Sequence, residues 1–367
     1  MLRKVSLSIV IFACSLTAFA QAPDSTKKAM DTTKPAAPPA PNPVSITGSV
    51  DFYYRYAFNK GEYGNSGLYG PTSFTQTHDQ FILGMATVKL EHKTSKMDMV
   101  ADLGFGPRAQ QFAYNDNGIV QAIKQLYISY SPNAFVKFTG GTWATHIGYE
   151  VLDAYANRNY SMSYMFTNGP FSHTGVRADF TVGKSGIMIG VSNPTDWRQT
   201  PTSASNNKNL IAQYSYQPSD NFHLFLNYVG GRNVADDKVH QFDLVATIKA
   251  SSMFNVGLNG TLNQTKFAAT AYDATHTWYG GAVYLNLDPA PWFGLTLREE
   301  YFSDKDAVKT PGGNVIASTL SANFKVDNFI FIPEFRLDAA NNPWFPKSDG
   351  TTSKSDPSFL LAAVYSF

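Results

Sequence analysis

From Ser45 to the last residue, the chain alternates apolar and polar positions with a period of two. In ITGSVDFYYRYAF the even positions are Ile46, Gly48, Val50, Phe52, Tyr54, Tyr56 and Phe58; Thr47, Ser49, Asp51 and Arg55 stand between them. Phe254, Val256, Leu258, Gly260 and Leu262 alternate with Asn255, Gly257, Asn259, Thr261 and Asn263. The chain closes on PSFLLAAVYSF, where Phe359, Leu361, Ala363, Tyr365 and Phe367 make one face. The other face, with Leu360, Ala362 and Val364, is barely polar, so something apolar (a packed leader or an inward loop) is expected against it. Period two predicts strands, and no amphipathic helix of comparable length competes.

The connections sort by length. Short, turn-rich links fall near 94, 131, 183, 217, 250, 288 and 326, each suited to a hairpin. Between them lie longer stretches at 59–78, 107–118, 145–172, 193–207, 231–238, 266–275, 303–313 and 339–356. Strict alternation of short and long predicts an all-β, up-and-down antiparallel barrel of sixteen strands, spanning a membrane, with its turns on one side and its loops on the other. A soluble sandwich or propeller would also alternate, but its loops would not sort this way. Most segments reach the ~9–11 residues a membrane strand needs; the one at 186–192 is short.

Composition agrees. Aromatics reach 14% and charged residues only 16%, a mixture that favours strands and turns over helices. At the N-terminus, Arg3 and Lys4 precede an apolar core and Ala18-Phe19-Ala20, which predicts a secretory signal peptide over 1–20 cut after Ala20. Ile11-Phe12-Ala13-Cys14 loosely resembles a lipoprotein box, but a cut there leaves a very short apolar core. Residues 21–44 are rich in Pro and Ala and read as a flexible leader, leaving 45–367 for the barrel. The single Cys lies inside the signal, so thiol chemistry is not expected in the mature chain. Formal net charge is +1, which gives no electrostatic basis for nucleic-acid binding.

Four stretches carry a resemblance to a known family. They are ITGSVDFYYRY, the block GGTWATHIGYEVLDAYANRNYSMSYMFTNGPFSHTGVR at 140–177, LREEYFSD at 297–304 and FIPEFRLD at 331–338. Through them the chain resembles the OmpL-like β-barrel porins of Gram-negative outer membranes over nearly all of 45–367. The resemblance implies an outer-membrane pore and says little about its solute.

A sixteen-strand barrel encloses an aqueous lumen, so selectivity comes from inward charges and from whatever narrows the bore. The alternation places Asp51, Arg55, Lys89, Glu91, Asp98, Asp102, Lys137, Arg177, Asp179, Asp243, Lys249, Arg298, Glu300, Glu334, Arg336 and Asp338 inside. A lipid-facing Arg or Lys near the midplane would cost ~2–4 kcal/mol. Glu299 and Lys124 fall on the outward register: Glu299 lies near a strand end, whereas Lys124 must snorkel or the register there is off by one. Pro333, inside a strand paired on both sides, predicts a bulge.

The longest loop, 145–172, follows Trp143 and carries His146, Tyr149, Glu150, Asp153, Tyr155, Arg158 and Tyr160. Its length and aromatic content suit a segment packed into the lumen as a constriction; the alternative is a cap on the outer rim. Arg298 and Glu300, with Glu334, Arg336 and Asp338 two strands on, form either a wall-stiffening ladder or a solute-contacting one.

Catalysis is not expected. None of the seven histidines has H-x-x-x-H or H-E-x-x-H spacing, and G-x-S-x-G does not occur. Glu299 and Glu300 are neighbours on one strand and so point to opposite faces. No metal or cofactor is expected. The reading is a passive diffusion channel for small hydrophilic solutes or ions, with a loop-plugged receptor or adhesin as the alternative. Expected partners are outer-membrane lipid, the barrel-insertion machinery (read from Tyr365 and Phe367) and, because sixteen-stranded porins are commonly trimers, two further copies.

Overall fold

The computed structural model describes residues 43–64, 66–269 and 274–367. The expected signal peptide and nearly all of the expected leader lie outside these residues. Val44 already belongs to the first strand.

Sixteen antiparallel strands close into one barrel. They are β1 (Val44–Ala57), β2 (Gln80–Lys93), β3 (Met97–Phe105), β4 (Ile123–Tyr130), β5 (Val136–Ala144), β6 (Ser172–Val182), β7 (Ser185–Ser192) and β8 (Asn209–Ser219). Then follow β9 (Phe222–Arg232), β10 (Lys238–Lys249), β11 (Phe254–Lys266), β12 (His276–Ala290), β13 (Phe293–Asp304), β14 (Gly313–Val326), β15 (Phe329–Ala340) and β16 (Ser355–Ser366). Every strand pairs with its sequence neighbour, and β16 pairs with β1 from Ser49↔Ser366 to Ala57↔Ser358. Phe367 adds a last rung: it exchanges two backbone hydrogen bonds with Gly48, at 2.9 and 3.0 Å. A Cβ on Gly48 would stand 2.8 Å from the Phe367 ring, so the glycine makes room for the terminal side chain.

The outer face carries Phe52, Leu83, Ile128, Phe242, Leu285, Ile316, Leu320, Phe335 and Tyr365, all exposed, as a lipid-facing band requires. Glu299 sits on this face at the middle of β13 (Phe293–Asp304), not near a strand end as expected, and takes a hydrogen bond from Ser318 Oγ at 2.7 Å.

At Lys124 the register is off by one, the second of its two sequence readings: pairing shifts between Asp102↔Gln125 and Leu103↔Ile123, so Lys124 is an extra residue that the bulge turns into the lumen. Pro333 differs from its reading and makes no bulge. Ser321↔Glu334 and Phe324↔Phe331 keep one register across it, and Pro333↔Leu361 is unshifted on the other side. The ladder simply lapses for two residues, which costs less than re-registering the rest of β15.

Two short helices, α1 (Pro107–Phe112) and α2 (Tyr164–Asn168), occupy the second and third long loops. Their length, about a turn and a half, is below what periodicity detects. Ser163 caps α2 by accepting the Phe166 N–H at 3.0 Å. The last long loop carries a small hairpin, Phe345–Pro346 against Thr352–Ser353.

Candidate functional site: the lumen and its inserted loop

The third loop leaves β5 at Ala144 and runs through the bore. Ile147 packs on Met188, Ile211 and Val229 of β7, β8 and β9. Gly148 N–H donates to Asp243 on β10 at 2.9 Å, and Tyr149 stacks on Tyr284 of β12 at 4.1 Å between centroids. Glu150 meets Arg298 on β13 at 2.5 Å. Asp153 lies across the lumen at Lys124, 2.6 Å away, with Asp102 on the same ammonium at 3.1 Å. Arg158 then pairs with Asp288 near the turn end of β12, and the Tyr160 hydroxyl donates to Asp51 on β1. The loop therefore touches opposite walls of the same barrel.

Wall carboxylates hold its backbone. Glu334 accepts the N–H groups of Tyr160 (2.7 Å) and Ser161 (3.1 Å), and Glu300 those of Tyr164 and Met165 (2.8 Å each). The cations take the carbonyls: Arg336 donates to Met162 O at 2.6 Å, Arg298 to Ser161 O at 2.7 Å and Arg108 of α1 to Leu152 O at 3.0 Å. Hydrogen bonds to charged groups contribute about 1.5–3 kcal/mol each, and a buried N–H stripped of its acceptor is costly. That explains why glutamates in a lumen can be almost fully buried: they satisfy a segment with few regular backbone bonds of its own.

Glycines in the wall make its seats. A Cβ on Gly84 would stand 2.6 Å from the Tyr160 hydroxyl, one on Gly257 2.5 Å from the Tyr149 ring, and one on Gly280 2.7 Å from Met165. Gly84 is itself the extra residue of the β1–β2 register shift beside Asp51.

Above these contacts, three loops share an apolar cluster. It joins Phe74 from the first loop, Ala109 and Phe112 from α1, and Leu152, Met162, Phe166 and Phe171 from the third, over Met85 of β2. Asp196 of the fourth loop fastens the exit: it accepts Phe171 N–H at 2.6 Å, Ser172 N–H at 2.8 Å and the Tyr114 hydroxyl at 3.0 Å. Burial pushes its carboxyl up to about 6 against those three donors. A second cluster answers the weakly polar face of the closing strand, where Leu360, Ala362 and Val364 pack on Tyr53, Ile332 and the loop residues Ala154 and Tyr160.

Each of the sixteen strands thus carries an inward side chain that is no more than 4% exposed, from Asp51 on β1 through Ile211 on β8 to Leu360 on β16. Several inward charges stay solvated, from mid-strand toward the turn side. Arg177 and Asp179, Lys89 and Glu91, and Arg158 with Asp288 keep 21–30% of their side-chain surface.

The sequence-predicted residues fall into four groups. Tyr149, Glu150, Asp153 and Arg158 are all in the inserted loop, and Asp51, Arg298, Glu300, Glu334 and Arg336 are its wall partners. Arg55 and Asp338 lie beside that group: Arg55 is bonded to the carbonyls of Tyr69 and Thr77, while Asp338 pairs with Arg336 at 2.9 Å. Arg177 and Asp179 stand apart on β6, paired with each other at 3.3 Å. Tyr365 and Phe367 lie on the outer face. Sequence reasoning missed Arg108, Asp196, Asp288 and the three glycine seats; only the inward parity of Gly257 and Gly280 could have signalled any of them.

A closed antiparallel barrel of sixteen strands, apolar outside and holding its third loop inside, is an outer-membrane porin. The chain belongs to the family described as "Putative beta-barrel porin-2, OmpL-like", which matches residues 43–367. No protein of curated function matches it in sequence. Among solved structures it is similar in fold to an anion-selective porin from Comamonas acidovorans (9% identity, TM-score 0.61, 89% of this chain and 100% of that one). The outer-membrane channel DcaP of Acinetobacter baumannii gives 14% identity and a TM-score of 0.60 over 90% and 99% of the chains. OmpT of Vibrio cholerae, solved in a trimer form, gives 10% identity and 0.59 over 89% and 100%.

Proposed function

We propose that this porin admits small hydrophilic solutes or ions by passive diffusion, and that loop 145–172 sets how much of the bore is open. The observation that carries the reading is the set of bonds from one loop to β1, β4, β10 and β12–β15. A segment held on so many sides governs passage, whether as an eyelet beside the solvated Arg177–Asp179 wall or as a stopper that must shift. The filled cross-section favours the stopper, and with it low conductance at rest. It also keeps the second reading, a plugged barrel displaying its surface loops as a receptor or adhesin. Catalysis has no part in either. The proposal extends to outer-membrane lipid around the barrel, recognition of Tyr365 and Phe367 by the insertion machinery, and a homotrimer.

Planar-bilayer recording tests it. Protein lacking residues 148–163 should give larger ohmic steps than the intact chain. If both are silent at high protein, the receptor reading stands and the pore reading falls.

A further inference from the structure

The root of the inserted loop holds a cluster that the function above does not use. His146, two residues past β5, lies against His173 at the start of β6, with ring centroids 5.1 Å apart. His146 Nε2 is 3.0 Å from the carbonyl oxygen of Tyr228, so that nitrogen carries the hydrogen and donates. His173 Nε2 bonds the Thr145 hydroxyl at 3.0 Å, and that hydroxyl also accepts the Ile147 N–H at 3.1 Å. The remaining ring nitrogen of each, Nδ1, is shielded and has no protein partner; the same holds for Trp143 Nε1 and Ser172 Oγ.

No anionic group compensates a proton on His146; only neutral backbone carbonyls, that of Tyr228 on β9 and that of Ala212 on β8, favour one. From β6 come His173 and the Arg177 guanidinium, the latter stacked 5.0 Å over the Trp143 ring of β5. Tyr127 of β4 packs at the edge of the cluster, β7 and β8 contribute Met188 and Ile211, and β9 contributes the Tyr228 carbonyl. No carboxylate bonds the ring, and Asp179 is committed to Arg177. Burial, with Arg177 adding to it, holds the His146 imidazole down at about 4.

We infer that His146 is an acid-sensitive latch: the loop root stays seated while this imidazole is neutral, and protonation drives it out of the lumen. The sign follows from linkage. A base whose seated value lies below its free value loses seating strength as pH falls through the free value, and the loss levels off at the seated one. With a free imidazole near 6.5, the window is roughly pH 6.5 to 4, and the seated-to-released ratio falls about 30-fold between pH 7.5 and 5. This rests on the reading that loop 145–172 controls the bore.

The test compares bilayer conductance at pH 5 and pH 7.5 in the intact protein, His146→Gln, His146→Phe and the 148–163 deletion. Other groups titrate too, so the quantity read is the pH 5 to pH 7.5 conductance ratio of each protein relative to the intact chain. Both His146 variants should show a ratio many-fold lower, approaching 30-fold if seating alone limits conduction. Ratios equal to that of the intact chain overturn the latch, provided the deletion raises conductance. A deletion that changes nothing instead overturns the control reading on which the latch depends.

Discussion

The Tyr160 hydroxyl reaches the Asp51 carboxylate through a gap that Gly84 leaves in β2. Filling the gap should unseat the ring. Gly84→Val should cost about 1–3 kcal/mol of loop docking, the usual range for overpacking. Limited proteolysis after Arg158 should then proceed at a rate the intact protein does not show, while the barrel keeps its heat-modifiable mobility.

Glu334 and Glu300 each accept two backbone N–H groups in a dry setting. Glu334→Ala should cost docking about 2–4 kcal/mol, because two donors lose a charged acceptor at once. Glu334→Gln should cost less, since its amide oxygen can still accept one. Conductance should rank Ala above Gln above intact; an inverted order would place the contribution elsewhere.

Arg158 and Glu150 should behave differently though both lie in one loop. Arg158 keeps 29% of its side-chain surface and faces the solvated side, so Arg158→Glu, which breaks one solvent-screened tether to Asp288, should shift reversal potential toward cations with a smaller change in step size than Glu150→Lys. Glu150 is buried against Arg298, and Glu150→Lys would set two cations together without water. That variant should unseat the loop and raise conductance. Unchanged selectivity in both variants would remove the loop from the permeation path.

Asp196 titrates in the opposite sense to His146. Its seated carboxyl is raised from the usual carboxylate value to about 6, so protonation favours the clasped exit, and the gain appears as pH falls from about 6 to 4. Asp196→Asn should flatten that gain while keeping the two backbone acceptor contacts. Proteolysis of the third loop from pH 7 to pH 5 measures it.

The barrel was legible because a membrane wall imposes one rule on every strand: apolar out, any polarity in. Asp51, Glu300 and Arg336 could be aimed inward from parity alone. Lys124 showed only as a misfit, a cation on the lipid-facing register, since a one-residue bulge inverts parity without showing which residue is extra. The third loop stood out by length and aromatics, and the apolar inner face of β16 called for a partner. Which wall residue meets which loop residue was out of reach, because Tyr160 and Glu334 are 174 positions apart and no periodicity links them. Gly84 reads in sequence as a weak spot in a strand, and becomes a seat only when Tyr160 arrives.

The seats that receive the third loop are built from β1, β2 and β10–β15, so they exist together only after β16 has zipped onto β1. Complete docking therefore cannot precede closure, and a fault in the β1–β16 seam reaches loop 145–172 even where every seat residue is intact.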